Sequence, residues 1–253
     1  MPAAVMNAPD RLQDLRNRWD RAGKTDPFWA VLSQPDKRGN RWESDEFFET
    51  GVQEIGDVME HVTSLGVVHG HERALDFGCG PGRLTQALAR YFDAVDGVDI
   101  SPTMIELARD LNKFPERCRY HQNSASDLRL FDDAIFDMVY SSITLQHVDP
   151  VYARDYIREF FRVLRPGALV IFQLPGRRTG RRSAARRYIP APVFRLYLRV
   201  RYQDHPAATM NGMPREEVVA LVDSLGAEVL DVEPNNAAGD GWESFRYSCR
   251  RAK

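Results

Sequence analysis

A chain that is 43% hydrophobic and 28% charged has the composition of a soluble globular protein, and its 253 residues suffice for one large domain or for one domain with appendages. Its net charge of −2 excludes a strong general attraction to nucleic acid or anionic membranes. Three cysteines without metal-ligand spacing, Cys79, Cys118 and Cys249, predict a reducing compartment and no disulfide framework. We find no signal peptide in the first thirty residues and no run of about 20 apolar residues, so we expect a cytoplasmic protein.

The first 65 residues are predicted to form a helical extension. Apolar residues recur at helical spacing over 10–21, after Asp26-Pro27, and from Ser44 or Asp45 to about Leu65. One interpretation places these helices against an edge of a sheet. The alternative is a lid over a bound ligand, with three aromatic candidates, Phe28, Trp29 and Trp42.

A glycine-rich turn between two predicted strands is the strongest local pattern. The strand Ala74–Phe77 leads into Gly78-Cys79-Gly80-Pro81-Gly82, a helical pattern follows, and a second strand at Val95–Val98 ends in Asp99. Glycines let a backbone turn sharply and let a ligand approach, because no Cβ intervenes. An acid about 20 residues further on is placed to accept hydrogen bonds from ribose hydroxyls. This combination predicts a nucleotide-like ligand on a doubly wound α/β sheet.

The alternation of strands and helices continues along the chain. Strands are predicted at 117–122, 135–140 and 168–174, with helical patterns between them. Right-handed crossovers then make the sheet largely parallel. Two further strands, at 228–232 and 242–249, are separated by a loop alone and predict an antiparallel hairpin at the end of the sheet.

Polar loops follow several of these strands. They are the glycine turn, Asp99, the loop that contains Ser124, and the loop Ser141–His147. Because ligands of parallel α/β sheets bind beyond the carboxyl ends of the strands, these loops predict a site at that edge.

Four segments resemble the class I S-adenosylmethionine-dependent methyltransferases in order and spacing. They are Leu75–Gly82, Gly97–Ser101, Phe136–Tyr140 and Leu164–Leu169, and the resemblance covers about residues 66–174. It implies a Rossmann-like, doubly wound sheet of seven strands, mostly parallel with a reversed last strand. The methyltransferase domain would then span 66–253, with an inserted arginine-rich lid segment at 175–212.

The resemblance also implies roles in binding S-adenosylmethionine. Asp76 and the backbone of Gly78 and Gly80 would hold the methionine end, with Cys79 as a small residue tolerated within the turn. Ser141 belongs to the segment that would lie along the methionine carboxylate.

The nucleoside end would be held by a second group of residues. Asp99 would bind the ribose, while Ile100 and Met104 would pack on the adenine. Where the family often has an acid that meets the adenine amino group, this chain has Ser124, followed by Ala125. Asp127 is the alternative carboxylate.

His147 is the candidate general base. Removing a proton from a hydroxyl acceptor benefits from a group that titrates near neutral pH, and the loop of His147 faces the acceptor side. The alternative is that His147 orients its loop or caps the next helix. For His121, at the end of the third strand, we expect a structural role. No metal site is predicted.

The segment after the fifth strand is rich in arginine. Nine arginines and no acid fall between Pro175 and Gln203: Arg177, Arg178, Arg181, Arg182, Arg186, Arg187, Arg195, Arg199 and Arg201. The segment is interpreted as a solvated flap, as a site for an anionic acceptor, or as a surface that rests on an anionic membrane through Pro192–Tyr202. Tyr202 and His205 are further candidates for acceptor contacts.

These patterns favour a methyltransferase that acts on a small-molecule or a sugar- or lipid-linked acceptor, at oxygen. A non-catalytic cofactor-binding module and a nicotinamide-dependent oxidoreductase are the alternatives. The net charge, and basic residues confined to one segment, argue against a nucleic-acid partner. Contact with a membrane surface ranks behind a free small-molecule acceptor, and the sequence makes no prediction of oligomeric state.

Overall fold

A computed structural model describes residues 8–67, 69–179, 193, 210–239 and 241–253. Most of the predicted insertion lies outside the described residues. This applies to the arginines from Arg181 to Arg201, to the Pro192–Tyr202 stretch except Val193, and to His205. Arg177 and Arg178 are described: the first lies 3.5 Å from Glu216 and the second lies over the Trp242 ring, 4.5 Å from its centroid.

Seven strands form one sheet in the described part of the chain. They are β1 Arg73–Phe77, β2 Ala94–Asp99, β3 Cys118–Gln122, β4 Phe136–Ser141, β5 Leu164–Arg178, β6 Glu228–Pro234 and β7 Trp242–Arg250. Their order is β3-β2-β1-β4-β5-β7-β6, and β1 to β5 pair in parallel. β7 runs antiparallel to both β5 and β6. The predicted sheet with a reversed last strand is therefore confirmed.

The described helices match the predicted pattern. They are α1 Ala8–Thr25, α2 Pro27–Val31, α3 Ser44–Ser64, α4 Arg83–Leu88, α5 Pro102–Asp110, α6 Pro150–Val163 and α7 Arg215–Ser224. Two helices are capped by side chains: Ser101 accepts from the Met104 amide, and Asp149 accepts from the Val151 amide. The sequence allows Ser44 or Asp45 as the N-cap of α3, but the N-cap is Glu43, one or two positions earlier, and no side chain caps the helix.

The core lies on both faces of the sheet, since successive strand residues point to opposite sides. Leu75 and Val139 belong to the cluster that packs under α6 and α7, while Ala74 and Met138 belong to the cluster on the other face. The helix α3 supplies Ile55, Val58, Met59 and Val62 to that second cluster. It therefore forms part of the layer that covers the sheet. No helix in the described ranges is long and apolar enough to cross a membrane.

Candidate active site

The glycine turn after β1 requires glycine for two separate reasons. Gly78, Gly80 and Gly82 have φ angles of +81°, +50° and +87°, which side-chain-bearing residues rarely adopt. A Cβ on Gly78 would also lie 2.1–2.6 Å from the side-chain atoms of Thr144. The amides of Gly78 and Cys79 donate to the Val98 carbonyl at 2.8 and 3.0 Å, which ties the turn to β2.

Asp99, the last residue of β2, faces this turn. Its Oδ2 accepts from the Gly80 amide at 3.0 Å, and its Oδ1 accepts from the Ser101 amide at 2.8 Å. Burial raises the pKa of Asp99 to about 6, although hydrogen bonds from the Ser101, Gly80 and Ile100 amides lower it. The carboxylate is thus fixed in position, and each oxygen keeps a lone pair for a further donor.

A cavity of about 890 Å³ opens beyond the carboxyl ends of β1, β2 and β4. Six of the residues predicted from the sequence line it: Gly78, Gly80, Asp99, Ile100, Met104 and His147. The other five, Asp76, Cys79, Ser124, Ala125 and Ser141, are not part of its wall.

Asp76 and Cys79 lie beneath the turn. Asp76 is fully buried, and its Oδ2 accepts a 2.6 Å hydrogen bond from the Thr85 hydroxyl. Among the described residues its Oδ1 has no partner. Burial raises the pKa of Asp76 to about 7, and it raises the pKa of the Cys79 thiol well above its usual value. Ser141 is also buried, where its hydroxyl donates to the Phe77 carbonyl at 3.0 Å.

Asn123 takes the position in the cavity wall at which the sequence predicts Ser124 and Ala125. Both predicted residues are exposed. The Ala125 amide, which by resemblance would reach the adenine ring, donates to Asn123 Oδ1 at 3.0 Å. The Asn123 side chain also donates to the Asp127 carbonyl at 2.7 Å, so it holds the loop. Asn123 lies one position before the predicted Ser124, and its place directly after β3 was a usable signal.

Glu54, on α3, was also not among the residues predicted from the sequence. It lines the cavity, and its carboxylate accepts from Arg83 Nη2 at 2.8 Å and from the Tyr140 hydroxyl at 2.9 Å. Burial raises the pKa of Glu54, but the charge of Arg83 and hydrogen bonds from Ser142, Arg83 and Tyr140 outweigh it and hold the pKa below its usual value. The available signal was Arg83, a charged residue directly after the glycine turn that proves to be buried.

The aromatic residues predicted as a lid do not line the cavity. Phe28, Trp29 and Trp42 pack with Phe47 and Phe48 in a separate hydrophobic cluster. The N-terminal residues that do line it are Leu15 and Trp19 of α1, residues 30–35, and Thr50, Gln53, Glu54 and Asp57 of α3. A hydrogen bond joins α1 to α5: the Asp20 carboxylate accepts from the Thr103 hydroxyl at 2.6 Å.

His147 lies at the end of a 3₁₀ turn, Leu145–His147, and is only 6% exposed. The Trp19 ring meets it edge-on, with 5.3 Å between ring centroids. Its Nε2 lies 3.2 Å from Gln146 Nε2. His121, by contrast, pairs through Nε2 with Asp96 Oδ1 at 2.7 Å, an interaction between β3 and β2 that agrees with the expected structural role.

Comparison with known proteins gives this geometry a context. Residues 75–172 match the methyltransferase domain family. A demethylmenaquinone methyltransferase of Tropheryma whipplei (strain Twist) is 37% identical over 141 residues, which cover 53% of this chain and 51% of that protein. A malonyl-[acyl-carrier protein] O-methyltransferase of Serratia marcescens is 30% identical over 118 residues, 46% of this chain and 43% of that protein. The chain thus spans about half the length of these curated relatives.

The fold has a close counterpart among solved structures. Magnesium protoporphyrin IX methyltransferase from Synechocystis PCC 6803, crystallised with bound S-adenosylhomocysteine, superposes with a TM-score of 0.66. The match covers 96% of this chain and 100% of that one. At 15% sequence identity this likeness shows a shared fold alone.

Proposed function

We propose that the chain is a class I S-adenosylmethionine-dependent methyltransferase, as its match to the methyltransferase domain family over residues 75–172 supports, and that it transfers a methyl group from S-adenosylmethionine to an oxygen of a small-molecule acceptor. The observation that carries the proposal is a single cavity that joins the glycine turn and Asp99 to a polar wall formed by α3, β5 and the segment after β4. We include sugar- and lipid-linked metabolites among the acceptors.

The residues around the turn fit this cofactor. A Cβ at Gly78 would clash with Thr144, and a Cβ at Gly80 would lie 3.3 Å from Val31 Cγ2. Both glycines line the cavity, where the lack of a Cβ lets a ligand approach the backbone. Asp99 offers carboxylate lone pairs to the two ribose hydroxyls, and Ile100 and Met104 give an apolar surface for the adenine. When bound, the cofactor supplies a methyl group on a positively charged sulfur.

The cavity has room for an acceptor beside the cofactor. Ligand sites typically measure roughly 300–1,000 Å³, so 890 Å³ is near the upper end of that range. Ile143, Gln146, Gln173 and Arg246 line the cavity in addition to the residues assigned to the cofactor. Leu15 and Trp19 add apolar surface to its wall. Holding both reactants in line in such a space supplies much of the acceleration of a bimolecular transfer.

Groups in the cavity wall that can accept a proton support oxygen as the methylated atom. A hydroxyl must lose its proton as it is methylated, and a base within reach assists this step. Several groups of the wall carry lone pairs, among them the imidazole of His147 and the carboxylate of Glu54. A relative that methylates oxygen, the malonyl-[acyl-carrier protein] O-methyltransferase, agrees with this choice.

The test is incubation with S-adenosylmethionine labelled in the methyl group and a panel of hydroxyl, carboxylic acid, quinol and amine compounds. Products are identified by mass spectrometry. We expect label on an oxygen of at least one acceptor. Label on nitrogen or carbon alone would contradict the assignment to oxygen. Tight cofactor binding without turnover across the panel would favour a non-catalytic module.

A further inference from the structure

A chain of hydrogen bonds between largely buried side chains runs along the wall of the cavity. It begins at the Ile143 amide and passes through the side chains of Gln173 and Gln146 to His147. Gln173, Gln146 and His147 are 3%, 5% and 6% exposed. Because so little of these side chains is exposed, their donors are expected to meet acceptors within the protein.

The backbone fixes the direction of the first bonds. The Ile143 amide can only donate, and it lies 3.1 Å from Gln173 Oε1. The amide nitrogen of Gln173 therefore points the other way. It donates to Ser244 Oγ at 2.8 Å and to Gln146 Oε1 at 3.3 Å.

The orientation of the Gln146 amide in turn determines the role of His147 Nε2. Because Gln146 Oε1 faces Gln173, its amide nitrogen faces His147 Nε2, at 3.2 Å. An amide nitrogen only donates, so Nε2 must accept with its lone pair. We propose that Gln173, acting through Gln146, is a positioning residue that holds His147 as the neutral tautomer with its proton on Nδ1.

Backbone strain at the start of the chain supports this role. Ile143 has φ +49°, a left-handed conformation that a β-branched residue rarely adopts. Such conformations cost on the order of 1–3 kcal/mol and persist where the surroundings enforce them. Here the strained residue is the one that presents its amide to Gln173.

The consequence for the reaction concerns the general base. With its lone pair engaged by Gln146, Nε2 of His147 takes no proton from an acceptor unless that bond first breaks. The candidate bases that remain are carboxylates of the same wall, such as Glu54, whose oxygens accept from Arg83 and Tyr140 and still keep further lone pairs. This consequence rests on the proposed function, whereas the tautomer of His147 does not.

The tautomer is measured directly by nitrogen–proton correlation NMR on protein labelled with ¹⁵N-histidine, with His147→Ala used to assign the signals. We expect Nε2 of His147 to resonate as an unprotonated nitrogen and Nδ1 as a protonated one at pH 7.5. A protonated Nε2 in the folded wild-type protein would overturn the proposal, whatever the outcome of the methyl-transfer assay.

Gln173→Glu tests the relay itself. A carboxylate cannot donate to Gln146, so the Gln146 amide is expected to turn and present its oxygen to His147. Nε2 should then shift to the protonated range. Ser244→Ala removes a side branch and should leave the wild-type tautomer. An unchanged Nε2 signal in folded Gln173→Glu would show that the relay does not set the tautomer. Should that variant not fold, the wild-type spectrum still decides.

Discussion

The Tyr140 hydroxyl, on the central strand β4, donates a 2.9 Å hydrogen bond to Glu54 Oε1, on the N-terminal helix α3. The other oxygen of Glu54 accepts from Arg83, the first residue of α4 after the glycine turn. Gly51, one turn earlier in α3, has no room for a Cβ because the Arg83 carbonyl would lie 2.6 Å away. α3 is thus built into the candidate site, and the N-terminal extension supplies part of its wall.

Replacement of Glu54 is therefore expected to destabilise the protein. Glu54→Ala leaves the buried guanidinium of Arg83 without its counter-ion. A fully buried pair loses about 3–5 kcal/mol in such a case. Since the Glu54 side chain is 29% exposed, we expect a loss of roughly 2 kcal/mol in the free energy of unfolding. Urea denaturation measures this, with Asp57→Ala, an exposed position one turn further along, as the control. Equal losses in both variants would contradict the assigned pairing.

The glycine turn offers a test in which backbone strain and steric clash are separated. Gly78 and Gly66 both have positive φ angles, +81° and +66°, but only a Cβ at Gly78 meets another side chain, that of Thr144. Gly66→Ala should cost about 1 kcal/mol, from strain alone. Gly78→Ala should cost more and weaken binding of S-adenosylhomocysteine at least tenfold.

Thermal unfolding and calorimetric titration measure these two effects. Thr144→Ala in the Gly78→Ala background removes two of the three clashing atoms, so it should restore part of the stability. If Gly78→Ala behaves like Gly66→Ala, the close packing between the turn and Thr144 is refuted.

Cofactor affinity should depend on pH through Asp99. The pKa of this carboxyl is raised to about 6 by burial, and its ionised form is the better acceptor for ribose hydroxyls. The association constant for S-adenosylhomocysteine should therefore fall below pH 6, by up to tenfold per pH unit. Calorimetry between pH 5 and pH 7 measures this. Asp99→Asn should bind more weakly with a flatter pH profile; a profile parallel to that of the wild type would exclude Asp99 as the titrating group.

Asp76 makes a prediction about stability. Its pKa is about 7 in the folded protein against a reference value of 3.8, so between these values the folded protein holds a proton that the unfolded chain lacks. Its contribution to stability is therefore greatest below pH 4 and is lost as the pH rises to 7.

Asp76→Asn removes this dependence. Relative to wild type, the variant should gain stability as the pH rises from 5 to 7, by up to about 1.4 kcal/mol per pH unit. Urea denaturation at pH 5, 6, 7 and 8 gives the comparison. Stability curves of constant separation would show that Asp76 titrates normally.

Much of the scaffold follows from local sequence, because strand periodicity, glycine turns and caps act over a few residues. The strands, the turn and Asp99 are therefore predicted well. The rest of the candidate site depends on contacts between elements that are distant in the sequence. The periodicity of α3 identifies its buried face but not that Glu54 would meet Tyr140. In the same way, an aromatic pattern does not say that Trp19 would reach His147 while Trp29 joins another cluster.

The conformation of the loop after β3 explains why Asn123, and not the predicted Ser124, faces the cavity. Asn123 and Ser124 are adjacent polar residues, and either suits a contact with adenine. Which one faces the cavity is decided by the hydrogen bonds of the Asn123 side chain to Ala125 and Asp127. Such bonds are a property of the folded loop, and residue type alone does not reveal them.

The central claim is that this cavity binds S-adenosylmethionine through Asp99 and the glycine turn. Isothermal titration of the folded protein with S-adenosylmethionine at pH 7.5 tests it most directly, with Asp99→Ala titrated in parallel. We predict saturable binding of one cofactor per chain and a loss of affinity of at least tenfold in the variant. Absence of binding to the folded wild-type protein, or equal affinity in Asp99→Ala, would contradict the claim.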